Sequence, residues 1–362
     1  MAIKNIDDIK EMFGLDTSPI VGLDLGASGV KIMSLVKDNE NIKVASYAIV
    51  PLDPGAIVER NILKIEEVTS AIKMAIHKAK VTTKKTSLAL GSAMSITRVV
   101  EFGKELNDKE IGEEITMSSD RYIPYPLHEV NMDYQVIGPN ATSNDLVDVL
   151  LVATKKEIVD NLTEIIEDTG LKPEVVNLDC YALGGAFELV YNKLPNSGKD
   201  KVIAIFDVGA TSTNFIVMRN KRVIYTRDQA FGSQQLIDEV QNNYGLDYSE
   251  ALTAIKYEDL PKDYETEILE PFKLTVAQQV NRSCEFFYSA GDYKTVDYIF
   301  ITGGCSTLLG IDVAIQQKLG IKTFIANPFA EIILDPSIDA KEFKYDSARL
   351  MMCCGLALRN IV

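Results

Sequence analysis

Two stretches hold the residues whose types and spacing could do chemistry. The first, VGLDLGASGVK at 21 to 31, sets three glycines, an aspartate and a lysine within eleven residues. The second, AIFDVGATSTNFIVMR at 204 to 219, repeats its order of apolar strand, Asp, apolar residue, Gly, Ala and hydroxyl residue when Asp207 is laid on Asp24 and Gly209 on Gly26. Glycines at a bend between two strands let successive backbone N–H groups turn inward as an anion nest, and hydroxyls at the tip add donors. Two such nests facing each other would grip a polyphosphate, with Gly26, Ser28, Gly29 and Lys31 on one side and Gly209, Ala210, Thr211 and Ser212 on the other. Asp24 and Asp207, one at each strand end, are placed to hold Mg2+ mainly through water, because magnesium keeps most of its hydration shell.

Other phosphate templates do not apply. No Gly-Lys-Ser/Thr follows at P-loop spacing, and Gly22, Gly26 and Gly29 lead into a second strand, KIMSLV, rather than the helix of a dinucleotide fingerprint. A strand, turn and strand copied half a chain away implies a duplicated domain.

A third glycine site supports the clamp. VDYIFITGGCSTLLGIDVAIQQKLG, 296 to 320, reads as a buried strand, then Gly303 and Gly304, then Ser306 as N-cap of a helix carrying Leu308, Leu309, Val313 and Leu319. Glycines between strand and helix let a flat nucleotide base approach the backbone. The segments LDCYALGGAFEL (178 to 189) and SARLMMCCGLALRN (347 to 360) are rich in small residues, so two helices there could cross closely and act as a hinge between lobes. Asp179 heads the first of them, either as an N-cap or as a carboxylate that orients an attacking water.

Composition removes other classes. A chain of 362 residues, 46% hydrophobic, exceeds one core of roughly 250 to 300 residues, so two domains are expected. A net charge of −15 leaves no broad basic face for nucleic acid, and KAKVTTKK at 78 to 85 reads as a solvated helix end. The five cysteines include no C-x-x-C and suit neither a disulfide framework nor a zinc site, which points to a reducing cytosol. His77 and His128 are the only histidines, little material for a Ser-His-Asp or Cys-His mechanism. No run approaches the ~18 apolar residues of a membrane span, and the start lacks a signal pattern, so a soluble intracellular protein is expected. Within residues 1 to 17, Ile3, Ile6, Ile9 and Phe13 fall at helical spacing, an arm expected to dock on protein rather than anionic lipid because its acids match or outnumber its bases.

The order of the five elements around Asp24, Asp179, Asp207, Gly303 and Gly355 resembles the two phosphate loops, the adenosine loop and the two connections of the actin-like ATPase superfamily. Within it, DRYIPYPLHEVNMDYQVIG at 120 to 138 resembles the PilM family of type IV pilus assembly, through Tyr122, Ile123, Pro124, Pro126, Glu129 and Asp133. The resemblance implies an α/β actin-like fold of two duplicated ribonuclease H-like lobes around a nucleotide cleft. It places the first lobe at 18–200 with an FtsA/PilM-type insert at about 86–153, and the second at 201–362 with a small subdomain at about 228–294. It implies ATP or ADP with Mg2+ between the lobes, Asp24 and Asp207 at the metal, Gly303, Gly304 and Ser306 at the nucleoside, and at most slow hydrolysis. It further implies that the insert binds the N-terminal cytoplasmic peptide of PilN, which would attach a cytoplasmic protein to the inner membrane beside other assembly-platform proteins and motor ATPases.

Two departures bear on this. FtsA-like proteins usually end in an amphipathic membrane-binding helix, whereas ALRNIV follows the second connection here, so membrane attachment through that end is not expected. The Ala-Glu-x-x-Lys of FtsA-like relatives is altered, Leu252 following Ala251 and Lys256 standing one place late, which puts ribose contacts from that helix in doubt. The face of LALGSAMSITRVVEF, 88 to 102, reads either as part of the peptide groove or as the insert's own core. A small-molecule kinase and an FtsA-like filament former are the alternatives on the same fold, and self-association is left open.

Overall fold

The computed structural model describes residues 19–361 except Glu40, Glu59, Ala141 and Asn360, so the arm expected over 1–17 lies outside the described residues. Strand β1 (Val21–Gly26) turns through Ala27 and Ser28 into β2 (Gly29–Asp38), which pairs antiparallel with β3 (Asn41–Pro51). A short ribbon, β4 (Ile57–Val58) with β5 (Asn61–Ile62), leads to the helix Ile65–Lys78 and then to β6 (Lys85–Leu90), parallel to β1. From there the chain leaves to build a separate three-stranded sheet of β7 (Ser95–Gly103), β8 (Val130–Pro139) and β9 (Leu146–Lys155), ordered β7-β9-β8 and covered by the helix Asp108–Met117. It returns through the helix Lys156–Glu167 to β10 (Lys172–Leu178), parallel to β6.

The second half repeats this plan without the excursion. Its strands β11 (Val202–Val208), β12 (Thr213–Arg219), β13 (Arg222–Gln229), β14 (Tyr298–Gly303) and β15 (Lys322–Ile325) lie in the order β13-β12-β11-β14-β15. That matches β3-β2-β1-β6-β10 strand for strand, so the duplication read from two hairpins extends through both sheets. The halves are also interleaved. A two-residue strand from the second half, β16 (Ile333–Leu334), adds to the free side of β3 and makes the first sheet six-stranded. Because β6 pairs with both β1 and β10 in the main sheet, the separate subdomain begins after Leu90, inside the range expected from residue 86.

The central strands of both main sheets are buried on both faces, which is why β11 reads as the unbroken apolar run VIAIF, whereas the edge strand β13 alternates. One face of the first sheet packs on the helices Ile65–Lys78 and Lys156–Glu167. One face of the second packs on the helices Gln234–Tyr244, Tyr248–Tyr257, Glu270–Ala290 and Ile311–Leu319. Their facing sides share a third core, in which Met33, Leu35 and Val44 meet Ile203, Ile205 and Ile216 through the connecting helices Asp179–Tyr191 and Met351–Ala357. Two cores suggested by length become four clusters among the described residues, since the hinge carries one and the insert another.

The small residues of the connections do allow close crossing. A Cβ at Gly355 would overlap the carbonyl of Ala182, and one at Gly22 of β1 would overlap the carbonyl of Cys353, so backbone meets backbone at both points. The Cys353 thiol donates to the Gly22 carbonyl at 3.1 Å. Among the described residues no helix is long and apolar enough to cross a membrane.

Candidate functional site

The two hairpin tips face each other across a cleft of about 710 Å³, within the range of small-molecule sites. Asp24, Gly26, Ser28 and Lys31 line it from the first lobe, and Asp207, Gly209, Ala210, Thr211, Ser212, Gly303 and Gly304 from the second. The second tip is braced from behind: the N–H groups of Ser233 and Gln234 donate to the carbonyls of Gly209 and Ala210 at 2.9 and 2.8 Å. A Cβ at Gly232 would strike that same Ala210 carbonyl. These carbonyls are thereby taken up by protein donors, which suits a loop that must present donors rather than acceptors to an anion.

Asp24 and Lys31 are directly opposed in the antiparallel pair of β1 and β2, and the Lys31 ammonium donates to Asp24 Oδ2 at 2.6 Å. Asp207 has the same relation to Asn214 across β11 and β12, so the second hairpin carries an amide where the first carries a cation. The missing charge comes from the other lobe. Arg60, between β4 and β5, donates through Nη2 to Asn214 Oδ1 at 2.9 Å, and the same nitrogen lies 2.7 Å from Asp179 Oδ2.

Burial pushes the Asp207 carboxyl up to about 6, with Lys31 and Arg60 pulling it down and Asp24 and Asp179 pushing it up. Asp24 and Asp207 thus offer hard oxygen donors to one space, and the second is short of positive charge. They fit a divalent cation that brings most of its own ligands; among the described residues no group of three or more His, Cys, Asp or Glu forms a closed metal site.

Three residues singled out from sequence lie off the cleft lining. Gly29 starts β2, where a Cβ would press on the Val50 carbonyl at 2.6 Å, so it serves close packing of β2 on β3. Ser306 is not a helix cap. It lies in the tight turn Gly304–Thr307, its hydroxyl donates back to the Gly303 carbonyl at 2.6 Å, and the helix starts at Ile311 after Gly310, whose φ of +78° supplies the entry bend. Asp179 is the first residue of its helix and fully buried. Its Oδ1 accepts from the N–H of Cys180 at 2.7 Å, the N–H of Ser92 at 3.0 Å and the Ser92 hydroxyl. It reaches the cleft only through Arg60.

Beside the second hairpin, where β14 ends against Val208, Gly303 adopts φ +82° and a Cβ on it would stand 2.6 Å from Asp207 Oδ1, so the glycine turn packs directly on that carboxylate. Leu252, Ile255 and Lys256 also line the cleft, with Tyr345 and Arg349, the Lys256 ammonium lying 5.0 Å from the centre of the Tyr345 ring. The altered spacing in that helix therefore does not keep its lysine out of the cleft.

In the insert, Ile96, Val100 and Phe102 of β7 and Ile123 join the core against the helix Asp108–Met117. Thr97, Val99 and Glu101 alternate onto the other face, where Val99 is 59% exposed opposite Leu150. The stretch 88 to 102 is thus part main sheet, part insert core and part open face.

Duplicated sheets, two helices crossing between them and a cleft walled by paired glycine hairpins define an actin-like ATPase fold. The chain belongs to the family described as type IV pilus assembly protein PilM, whose model matches residues 22–361. Among solved structures it is similar to a chain of a PilM-PilN type IV pilus biogenesis complex, at 23% identity and TM-score 0.78 over 96% of this chain and 100% of that one. It is similar also to the ethanolamine utilization protein EutJ from Carboxydothermus hydrogenoformans, at 16% identity and TM-score 0.52 over 94% and 89%. A third similar structure is MreB5 of Spiroplasma citri bound to ADP, at 11% identity and TM-score 0.50 over 94% and 95%.

Proposed function

We propose that this pilus assembly protein is a nucleotide-dependent scaffold, with ATP and Mg2+ in the interlobe cleft and the N-terminal cytoplasmic peptide of PilN on the inserted subdomain. The observation that carries the nucleotide half is the pair of opposed hairpins with Asp24 and Asp207 on one cleft floor. Gly26, Ser28 and Lys31 would hold phosphates from one side and Gly209 to Ser212 from the other. Asp24 and Asp207 would hold the metal, which would neutralise phosphate charge, and Gly303 and Gly304 would take the base. The partner half is supported by family membership and by the complex with PilN formed by a structural relative. The open face around Val99 is the surface of the insert we assign to it, and such a partner would bring the protein to the inner membrane. Asp179 is engaged by Arg60 and Ser92 and is not free to orient a water, so hydrolysis is expected to be slow.

Calorimetric titration of ATP into the full chain tests the nucleotide half. Saturable binding at one site, at least about tenfold tighter with Mg2+ than with EDTA, is expected, a gap of about 1.4 kcal/mol. No binding in either condition would remove the nucleotide from the proposal.

A further inference from the structure

We propose that Arg60 couples occupancy of the cleft to the root of the inserted subdomain. The proposal rests on the nucleotide reading above. It starts from the broken symmetry of the repeat: the first hairpin owns its cation, Lys31, whereas the second borrows one, Arg60, from the opposite lobe. That loan spans the cleft, because Arg60 and Asp179 belong to the first half of the chain and Asn214 to the second. Arg60 stands in the tight turn between β4 and β5 with φ +69°, the left-handed conformation such hairpin turns require, so its side chain leaves from a fixed point on the ribbon.

From Arg60 the contacts run directly to the insert. Gly91, the first residue after β6, makes room for the arginine stem: a Cβ there would stand 3.2 Å from Arg60 Cγ. The carboxylate that pairs with Arg60 holds the next residue twice, through the Ser92 N–H and the Ser92 hydroxyl. The N–H after that, of Ala93, donates to Asp228 Oδ2 of β13 in the second lobe at 3.2 Å. Where β9 returns, the Thr154 hydroxyl closes the root by donating to the Met94 carbonyl at 3.0 Å. Successive amides at the root are therefore held by carboxylates rooted in different lobes, and Arg60 bridges the same two lobes one layer nearer the cleft.

Both contacts to the guanidinium use Nη2, and an arginine fork can take a phosphate oxygen on another nitrogen while keeping these partners. A phosphate seated at Gly209 to Ser212 would fix Arg60, Asn214 and Asp179 together, and with them the Ser92 and Ala93 amides. Coupling of this kind needs a contiguous set of contacts that both sites bias, and here each link is a charged or hydrogen-bonded pair.

The test is hydrogen exchange at the Ser92 and Ala93 amides of the full chain, with and without saturating ATP·Mg2+, in wild type, Arg60→Gln and the double variant Arg60→Gln with Asp179→Asn. The double variant removes both charges of the pair and covers the case in which the single one does not fold. ATP·Mg2+ is expected to slow exchange at both amides about fivefold or more in wild type, and by less than about twofold in the variants. An undiminished effect in either folded variant overturns the proposal, as does no effect in a wild-type protein that calorimetry shows to bind ATP·Mg2+. A wild type that does not bind ATP·Mg2+ overturns the nucleotide reading first and the coupling with it.

Discussion

Replacing Asp207 with asparagine is expected to stabilise the nucleotide-free protein at pH 8 and to weaken its binding of ATP·Mg2+ by about tenfold or more. The two effects share one cause. Burial, the largest influence, raises this carboxyl to about 6 from an ordinary value of 3.8. The folded chain therefore binds the proton more tightly than the unfolded chain. Ionisation above pH 6 costs the fold roughly 2 to 3 kcal/mol, and that cost fades as the pH falls through 6 and is gone near pH 4, where both states are protonated. Asparagine removes the cost, so its gain in melting temperature should be full at pH 8 and vanish toward pH 4. A bound metal would remove the same cost in wild type, so ATP·Mg2+ should raise the melting temperature of wild type more than that of the variant. Equal affinities by calorimetry would show that Asp207 does not organise the metal, and a gain that persists unchanged to pH 4 would show that its charge is not what strains the fold.

Gly355→Val is expected to destabilise the protein by about 3 kcal/mol or more. The new side chain would be driven into the Ala182 carbonyl at the point where the two connecting helices touch, and a main-chain atom inside a packed helix cannot swing aside. The shared core between the sheets would have to open to admit it. Gly185→Ala, on the same connecting helix as Ala182, is the matched control: nothing lies within 4 Å of a Cβ there, so the change should be neutral or gain up to about 1 kcal/mol from helix propensity. Chemical denaturation of the two variants side by side checks this. Similar midpoints for both would mean that the helices do not cross in backbone contact.

What was legible in the sequence was local. The glycine hairpins announce themselves through spacing within eleven residues, and their repetition half a chain away exposes the duplicated sheets. The small residues around Ala182 and Gly355 announce a close crossing, although not that the crossing lies between the sheets as a core of its own. What was hidden depends on distant partners. Arg60 belongs to no motif; it stands between two-residue strands and acquires meaning only when the fold brings Asp179 and Asn214 to it. One signal was available: under the repeat alignment Asn214 falls on Lys31, a lost cation beside a retained aspartate, which asks for a replacement charge from elsewhere. Ser306 read as a cap because hydroxyl residues favour that place, but the glycine turn used its hydroxyl first and Gly310 opened the helix. The start of the insert was obscured because β6 and β7 follow one another as strands, separated by a single short turn at Ser92–Met94.

The scaffold proposal is tested most directly by titrating a labelled peptide, the N-terminal cytoplasmic segment of PilN from the same organism, into the full chain with and without ATP·Mg2+. Saturable binding is predicted, with an affinity that changes about fivefold or more when ATP·Mg2+ is present and an equal reciprocal change in ATP affinity when the peptide is present. A protein that binds ATP·Mg2+ but takes up no peptide in either condition, or takes it up with an affinity indifferent to nucleotide, would contradict a nucleotide-dependent scaffold.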